Sequence, residues 1–184
     1  MNQFLKIGKY LLVALSILFF TASNSYAGWH STTQADRNQK IVIQAQHDLG
    51  LVGGACKVWA YDVVRVASYY AGGPAVSVYL PLTDNNGDGY AWVNDGTGNA
   101  VSSGALAPAS MTPGMIIQMR IHYANGTYGP HTAIVKANSV GTQVLTFLES
   151  NYSTPYTVTE RTVSYSAFLA SIEPTSHYTV YTIH

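Results

Sequence analysis

Cys56 is the one cysteine of the chain, and it stands in the run Gly53-Gly54-Ala55-Cys56-Lys57-Val58-Trp59. Helical periodicity begins at about Ala55, so the thiol falls in a first helical turn directly after two glycines. Unpaired backbone N–H groups and the positive end of the helix dipole meet there. Both favour the thiolate, which is the nucleophilic form of cysteine. The glycines let another chain approach closely, and the N–H of Cys56 is itself a candidate donor to a developing oxyanion. A lone cysteine also has a plainer reading, as a small inert core residue.

A nucleophilic thiol needs a base, and the chain offers 6 histidines. His30 and His184 sit at the two ends of the expected mature chain, where termini are often loose. His47 ends a predicted helix on its water side, and His122 lies inside a predicted strand. His131 follows Gly129-Pro130, read as a turn, and opens the strand His131-Thr132-Ala133-Ile134-Val135. A strand start is rigid yet open at one end, which suits a base. The run Leu145-Thr146-Phe147-Leu148-Glu149-Ser150-Asn151-Tyr152 reads as the next strand. Residues two apart share a strand face, so Glu149 and Asn151 are expected on one side. If the two strands form a hairpin, either residue can hold the second ring nitrogen of His131. The plainer readings are a structural histidine and a solvated charge at a strand end.

One further motif could bind an ion. Asp84-Asn85-Asn86-Gly87-Asp88-Gly89 resembles the start of a calcium loop, with Asp84, Asn86, Asp88 and, at the twelfth position, Asp95 as ligands. A bidentate Glu is usual at that twelfth position, and Asp-Gly and Asn-Gly are ordinary turn formers. A plain turn is the preferred reading.

Several elements must position these groups. Helices are predicted over 33–47 and 55–70, the second with Trp59, Val63, Val66 and Tyr70 on one stripe. A short strand is read at 75–82, and the rest of the stretch to Pro113 is irregular. Strands follow over 115–123, 131–138, 143–149, 156–164 and 178–184, with a helical turn at 166–172. Helices first and then an antiparallel sheet make an α+β fold.

The first 27 residues read as a signal peptide: Lys6 and Lys9, an apolar run from Tyr10 to Phe20, then small residues ending at Ala27. The run is short for a membrane span. Residues 28–184 are then one domain, secreted or periplasmic, with no stable membrane anchor and monomeric. The chain balances 9 Lys and Arg against 9 Asp and Glu, and losing Lys6 and Lys9 leaves about −2. Nucleic acid is an unsuitable partner for such a chain. The low charge and abundant Tyr, Thr and Ser suit a sheet with a polar, uncharged outer face and carbohydrate-bearing ligands.

Taken together, Cys56 after Gly, the Pro113-Gly114 turn before Met115-Ile116-Ile117, the His131-Thr132-Ala133-Ile134-Val135 strand and Glu149-Ser150-Asn151-Tyr152 resemble the CHAP domain, the cysteine, histidine-dependent amidohydrolase/peptidase family. The resemblance spans residues 36–165. It implies a papain-like α+β fold among the NlpC-like hydrolases and cleavage of amide bonds in bacterial peptidoglycan. It matches Cys56 to the nucleophile, His131 to the base, and Glu149 to the third position with Asn151 two residues on. No cofactor is implied. The chain departs from the family at Met115, where Asp is frequent, and in an apparent insertion at 83–107. It also lacks the acidic run before the nucleophile through which some members bind calcium. Two other functions fit the same residues: an effector-type cysteine protease or deamidase acting on a protein, and a catalytically silent wall-binding module.

Overall fold

The computed structural model describes residues 28–70, 78–79, 93–94, 101–104, 106–123, 126–174, 176 and 178–184. The expected leader at 1–27, the calcium-type residues Asp84, Asn86, Asp88 and Asp95, and most of the expected strand at 75–82 lie outside them.

The first helix, α1 (Gln34–His47), starts where Thr33 caps it: the Thr33 hydroxyl accepts from the Asp36 N–H at 3.1 Å. Such a cap satisfies one of the orphan donors of the first turn and stabilises by about 1 kcal/mol. Helix α2 (Cys56–Tyr70) follows the tight segment 48–55. The expected stripe on α2 holds only in part. Trp59 and Val63 are buried, but Tyr70 is 78% exposed, and the inward face is completed by Ala60, Val64 and Ala67. The sheet packs against the row that includes these smaller residues, because they let the helix come close.

Strands β1 (Val78–Tyr79) and β2 (Val93–Asn94) pair with each other. The main sheet contains β3 (Val101–Gly104), β4 (Ile116–His122), β5 (Tyr128–Ser139), β6 (Val144–Ser150), β7 (Val158–Ser164) and β8 (Tyr178–Ile183). Its order is β3-β8-β4-β5-β6-β7, antiparallel throughout. The fold is α+β, with the N-terminal helices on the sheet. Helix α3 (Tyr165–Ser171) joins β7 to β8, capped by the Ser164 hydroxyl. Strands at 93–94 and 101–104 correct the irregular reading of that stretch. β3 is short and lies at the sheet edge, where β8 supplies the pairing that its own sequence does not advertise.

Register divides the side chains between two faces. Ile116, Ile134, Leu148 and Ile183 pack with Trp59, Val63, Val64 and Ile41 beneath the N-terminal helices. Ile117, Met119, Ala133, Phe147 and Val180 pack with Phe168 of α3 on the other side. His131 pairs with Met119, and Ala133 with Glu149. Both functional candidates therefore belong to the α3 side, because paired residues share a face.

Candidate active site

Cys56 is brought to the sheet by backbone pairing. The Gly53 N–H donates to the Tyr156 carbonyl at 2.8 Å, the Val158 N–H to the Leu51 carbonyl at 3.0 Å, and Val52 bridges Thr157. The Ser150 hydroxyl donates to the Gly54 carbonyl at 2.8 Å. No side chain fits at Gly53, since a Cβ there would stand 2.6 Å from Val158 and 2.7 Å from Ser150. Gly54 has φ +74°, a backbone that favours glycine. The Gly-Gly pair thus turns the chain against the end of β6 and releases it into α2 with Cys56 first.

Pairing of β5 with β6 stops at Ala133↔Glu149. One residue further along β5, the Thr132 backbone hydrogen-bonds the Cys56 sulfur instead, as does the Lys57 backbone in the first turn of α2. The half-buried thiol also hydrogen-bonds the His131 side chain. The other end of that imidazole is fixed: His131 Nε2 lies 3.0 Å from Glu149 Oε2, with both side chains fully buried. Nδ1 is left on the thiol side, 3.5 Å from the Tyr123 hydroxyl. That hydroxyl donates to the Pro130 carbonyl at 2.9 Å. Tyr123 meets the His131 ring edge-on at 6.0 Å between centroids, and Tyr152 lies at 5.3 Å. The two tyrosines shield the imidazole from solvent.

Charge follows this geometry. Burial by itself pushes the Cys56 thiol up. The hydrogen bond to His131, its positive charge and the two backbone hydrogen bonds outweigh burial and hold the thiol below its ordinary value. Burial pushes His131 down, but its hydrogen bonds to Cys56 and Glu149 and their charges raise it to about 9. Glu149 would be raised by burial, yet hydrogen bonds from His131 and Arg161 keep it below the ordinary carboxylate range. These shifts favour a thiolate and an imidazolium beside an ionised carboxylate. Tyr123 moves the opposite way, pushed up by burial and by the negative charges of Cys56 and Glu149, so it remains a neutral phenol.

Three expectations need correction. β5 begins at Tyr128, so Gly129-Pro130 is strand rather than turn, and His131 lies inside the strand. Pro130 is tolerated because β6 does not pair with this part of β5. Asn151 does not share a face with Glu149: β6 ends at Ser150 and Asn151 turns to φ +62°. Its side-chain Oδ1 accepts from the Tyr156 N–H at 3.1 Å, closing the loop that leads to β7. His184 is held rather than loose, with Nδ1 2.8 Å from Gln34 Oε1 and its carbonyl accepting from Trp29 Nε1 at 3.0 Å. Elsewhere, His122 is exposed and lies 5.0 Å from the Tyr128 ring.

Arg161 was not legible as a site residue. Phe147 pairs with Arg161 across β6 and β7, which makes Glu149 its diagonal neighbour. Its Nε donates to Glu149 Oε1 at 2.6 Å and its Nη2 to Oε2 at 3.1 Å. An Arg alternating with Glu160 on a predicted strand was the available signal, but its pairing required the register. Among the described residues no group of three or more His, Cys, Asp or Glu is placed to hold a metal ion.

No family model matches the chain, and no curated protein does. Solved structures similar to it include two of Ly7917. One covers 81% of this chain at 21% identity and a TM-score of 0.48. The other, described with the hydrolyzing product of MDP, covers 78% at 21% identity and a TM-score of 0.49. The chain spans 62% of the length of each.

Proposed function

We propose that this chain is an exported cysteine amidohydrolase or peptidase, similar to CHAP enzymes, that cleaves amide bonds of bacterial peptidoglycan. The observation that carries the reading is the chain of contacts from the Cys56 thiol through His131 to the buried carboxylate of Glu149. A thiol on one nitrogen of a histidine and a carboxylate on the other is the arrangement of a nucleophile, its base and the group that orients the base. The wall as substrate rests on the resemblance of the motifs, the signal-type N-terminus and the weakly charged, hydroxyl-rich composition.

In the reaction, the Cys56 thiolate attacks the amide carbonyl carbon, and the carbonyl π electrons move to oxygen. The unpaired N–H groups of the first turn of α2 are the candidate donors to that oxyanion. On collapse the C–N bond breaks, and His131 Nδ1 gives its proton to the leaving amine. A thioester on Cys56 remains. Neutral His131 then takes a proton from water, whose hydroxide adds to the thioester carbonyl. The C–S bond breaks, the carboxylic acid leaves, and thiolate and imidazolium are restored. Glu149 keeps the ring oriented and stabilises its positive charge.

The test is digestion of purified sacculi by the wild type and by Cys56→Ala, with released fragments read by mass spectrometry. New amine and carboxylate termini from the wild type alone support the reading. Equal fragment release from both proteins removes Cys56 from the chemistry.

A further inference from the structure

Glu149 binds two partners through its two oxygens, and the mechanism above uses only His131. The Arg161 guanidinium grips the carboxylate with two hydrogen bonds of 2.6 and 3.1 Å, while His131 shares Oε2. The fork is itself clamped: Arg161 Cζ stands 4.4 Å from the centre of the Tyr152 ring and 5.1 Å from that of Phe147. Tyr152 in turn packs on the His131 ring. We propose that Arg161 is a positioning residue of the catalytic centre, holding Glu149 ionised and aimed at His131 and closing the buried cluster as a charge-neutral quartet. The proposal rests on the hydrolase reading of Cys56 and His131.

Electrostatics supplies the reason. In the resting state Cys56 and Glu149 are negative, His131 and Arg161 positive, and the sum is zero. Glu149 and His131 are wholly shielded from water, and the Arg161 side chain is 16% exposed. Without Arg161 the cluster carries one unbalanced negative charge in a place that cannot hydrate it. Such a cluster binds protons more tightly at every member. The acid limb of thiolate formation and the alkaline limb of imidazolium loss then both move to higher pH. Among the described residues, the groups at the cluster are Cys56 from α2, Tyr123 just after β4, Glu149 from β6, Tyr152 from the loop after it and Arg161 from β7. The Arg120 charge acts on Tyr123. Among the described residues, Arg161 is the hydrogen-bond partner of Glu149 besides His131. Lysine would keep the charge but not the planar fork.

The experiment is the pH dependence of Cys56 alkylation by iodoacetate in the purified wild type, Arg161→Met and Arg161→Lys, with circular dichroism for folding. Iodoacetate is anionic, so it reacts fastest with a thiolate that has an imidazolium beside it. The wild-type profile is expected to be a bell. In Arg161→Met both limbs are expected to move up by about one unit, and the maximal rate to fall about ten-fold. In Arg161→Lys the limbs are expected to stay in place while the maximal rate falls two- to ten-fold, roughly. A wild-type bell left unmoved in a folded Arg161→Met overturns the role of Arg161 alone. If Arg161→Met does not fold, Arg161→Lys decides: limbs in place with a reduced maximum support the role, and a profile identical to wild type overturns it. A wild-type profile with one limb at the ordinary thiol value overturns the ion pair and the role of Arg161 with it.

Discussion

On the helix side of the sheet, Ile116, Ile134 and Leu148 meet Trp59, Val63 and Val64 in an apolar contact. On the other side, Phe147, Phe168 and Met119 form a similar apolar cluster, but His131 and Glu149 are buried beside it and Arg161 reaches in from β7. The first face needs only shape and hydrophobicity, which many sequences supply. The second must also neutralise ions in a place without water, so each charged group there depends on a named partner. The two faces should therefore fail differently: one by losing stability, the other by losing chemistry first.

The largest effect is expected at the reacting pair. Cys56→Ala should abolish turnover, and His131→Ala should lower kcat/KM by at least about a thousand-fold. Because His131 is wholly buried, its loss should also lower the melting temperature, leaving Glu149 short of a partner. His122→Ala should do neither, and a loss of activity there would move the base to the wrong strand. Glu149→Gln comes next. It keeps the shape and removes the charge, and should reduce kcat/KM by about ten- to a thousand-fold, matching a lost contact of roughly 1.4–4 kcal/mol.

The helix-side counterpart is Ile41→Ala. Ile41 is fully buried, and the cavity should cost about 2–5 kcal/mol in a denaturant titration. The folded fraction should keep its kcat/KM, and a protein that is folded but inactive would break the separation of the two faces.

pH sharpens the comparison on the charged side. His131, raised to about 9, should set the alkaline limb of kcat/KM there, and the lowered Cys56 should set an acid limb below the ordinary thiol range. Stability carries a related signature. The lowered Glu149 contributes stability that is complete above its ordinary value and is lost as pH falls through its lowered one. Thermal melts into the acid range should show that loss in wild type and much less of it in Glu149→Gln.

The smallest effect is expected at Asn151. Its side chain accepts one loop hydrogen bond rather than touching His131. Asn151→Ala should cost about 1 kcal/mol of stability and change kcat/KM by no more than about three-fold. If Asn151→Ala lost the activity that Glu149→Gln retained, the orienting group would be Asn151 and the buried carboxylate would be structural.

Residue types and periodicity determined a good deal by themselves. They placed Cys56 at a helix start after Gly-Gly, and they ordered two helices before an antiparallel set of strands. With the two strands taken as a hairpin, they also put Glu149, together with Asn151, within reach of His131, and Glu149 is the one that meets it. All of these follow from near-neighbour rules, which a sequence carries in full. Tertiary structure decided what depends on where a strand stops. β6 ends at Ser150, so Asn151 turns away although it is two residues from Glu149. The pairing of β5 with β6 stops at Ala133 and Glu149, which leaves the Thr132 backbone for the Cys56 sulfur. Arg161 reaches Glu149 only because Phe147 pairs with it across β6 and β7. That register depends on the path of the connecting loop, and no single residue along the chain announces it.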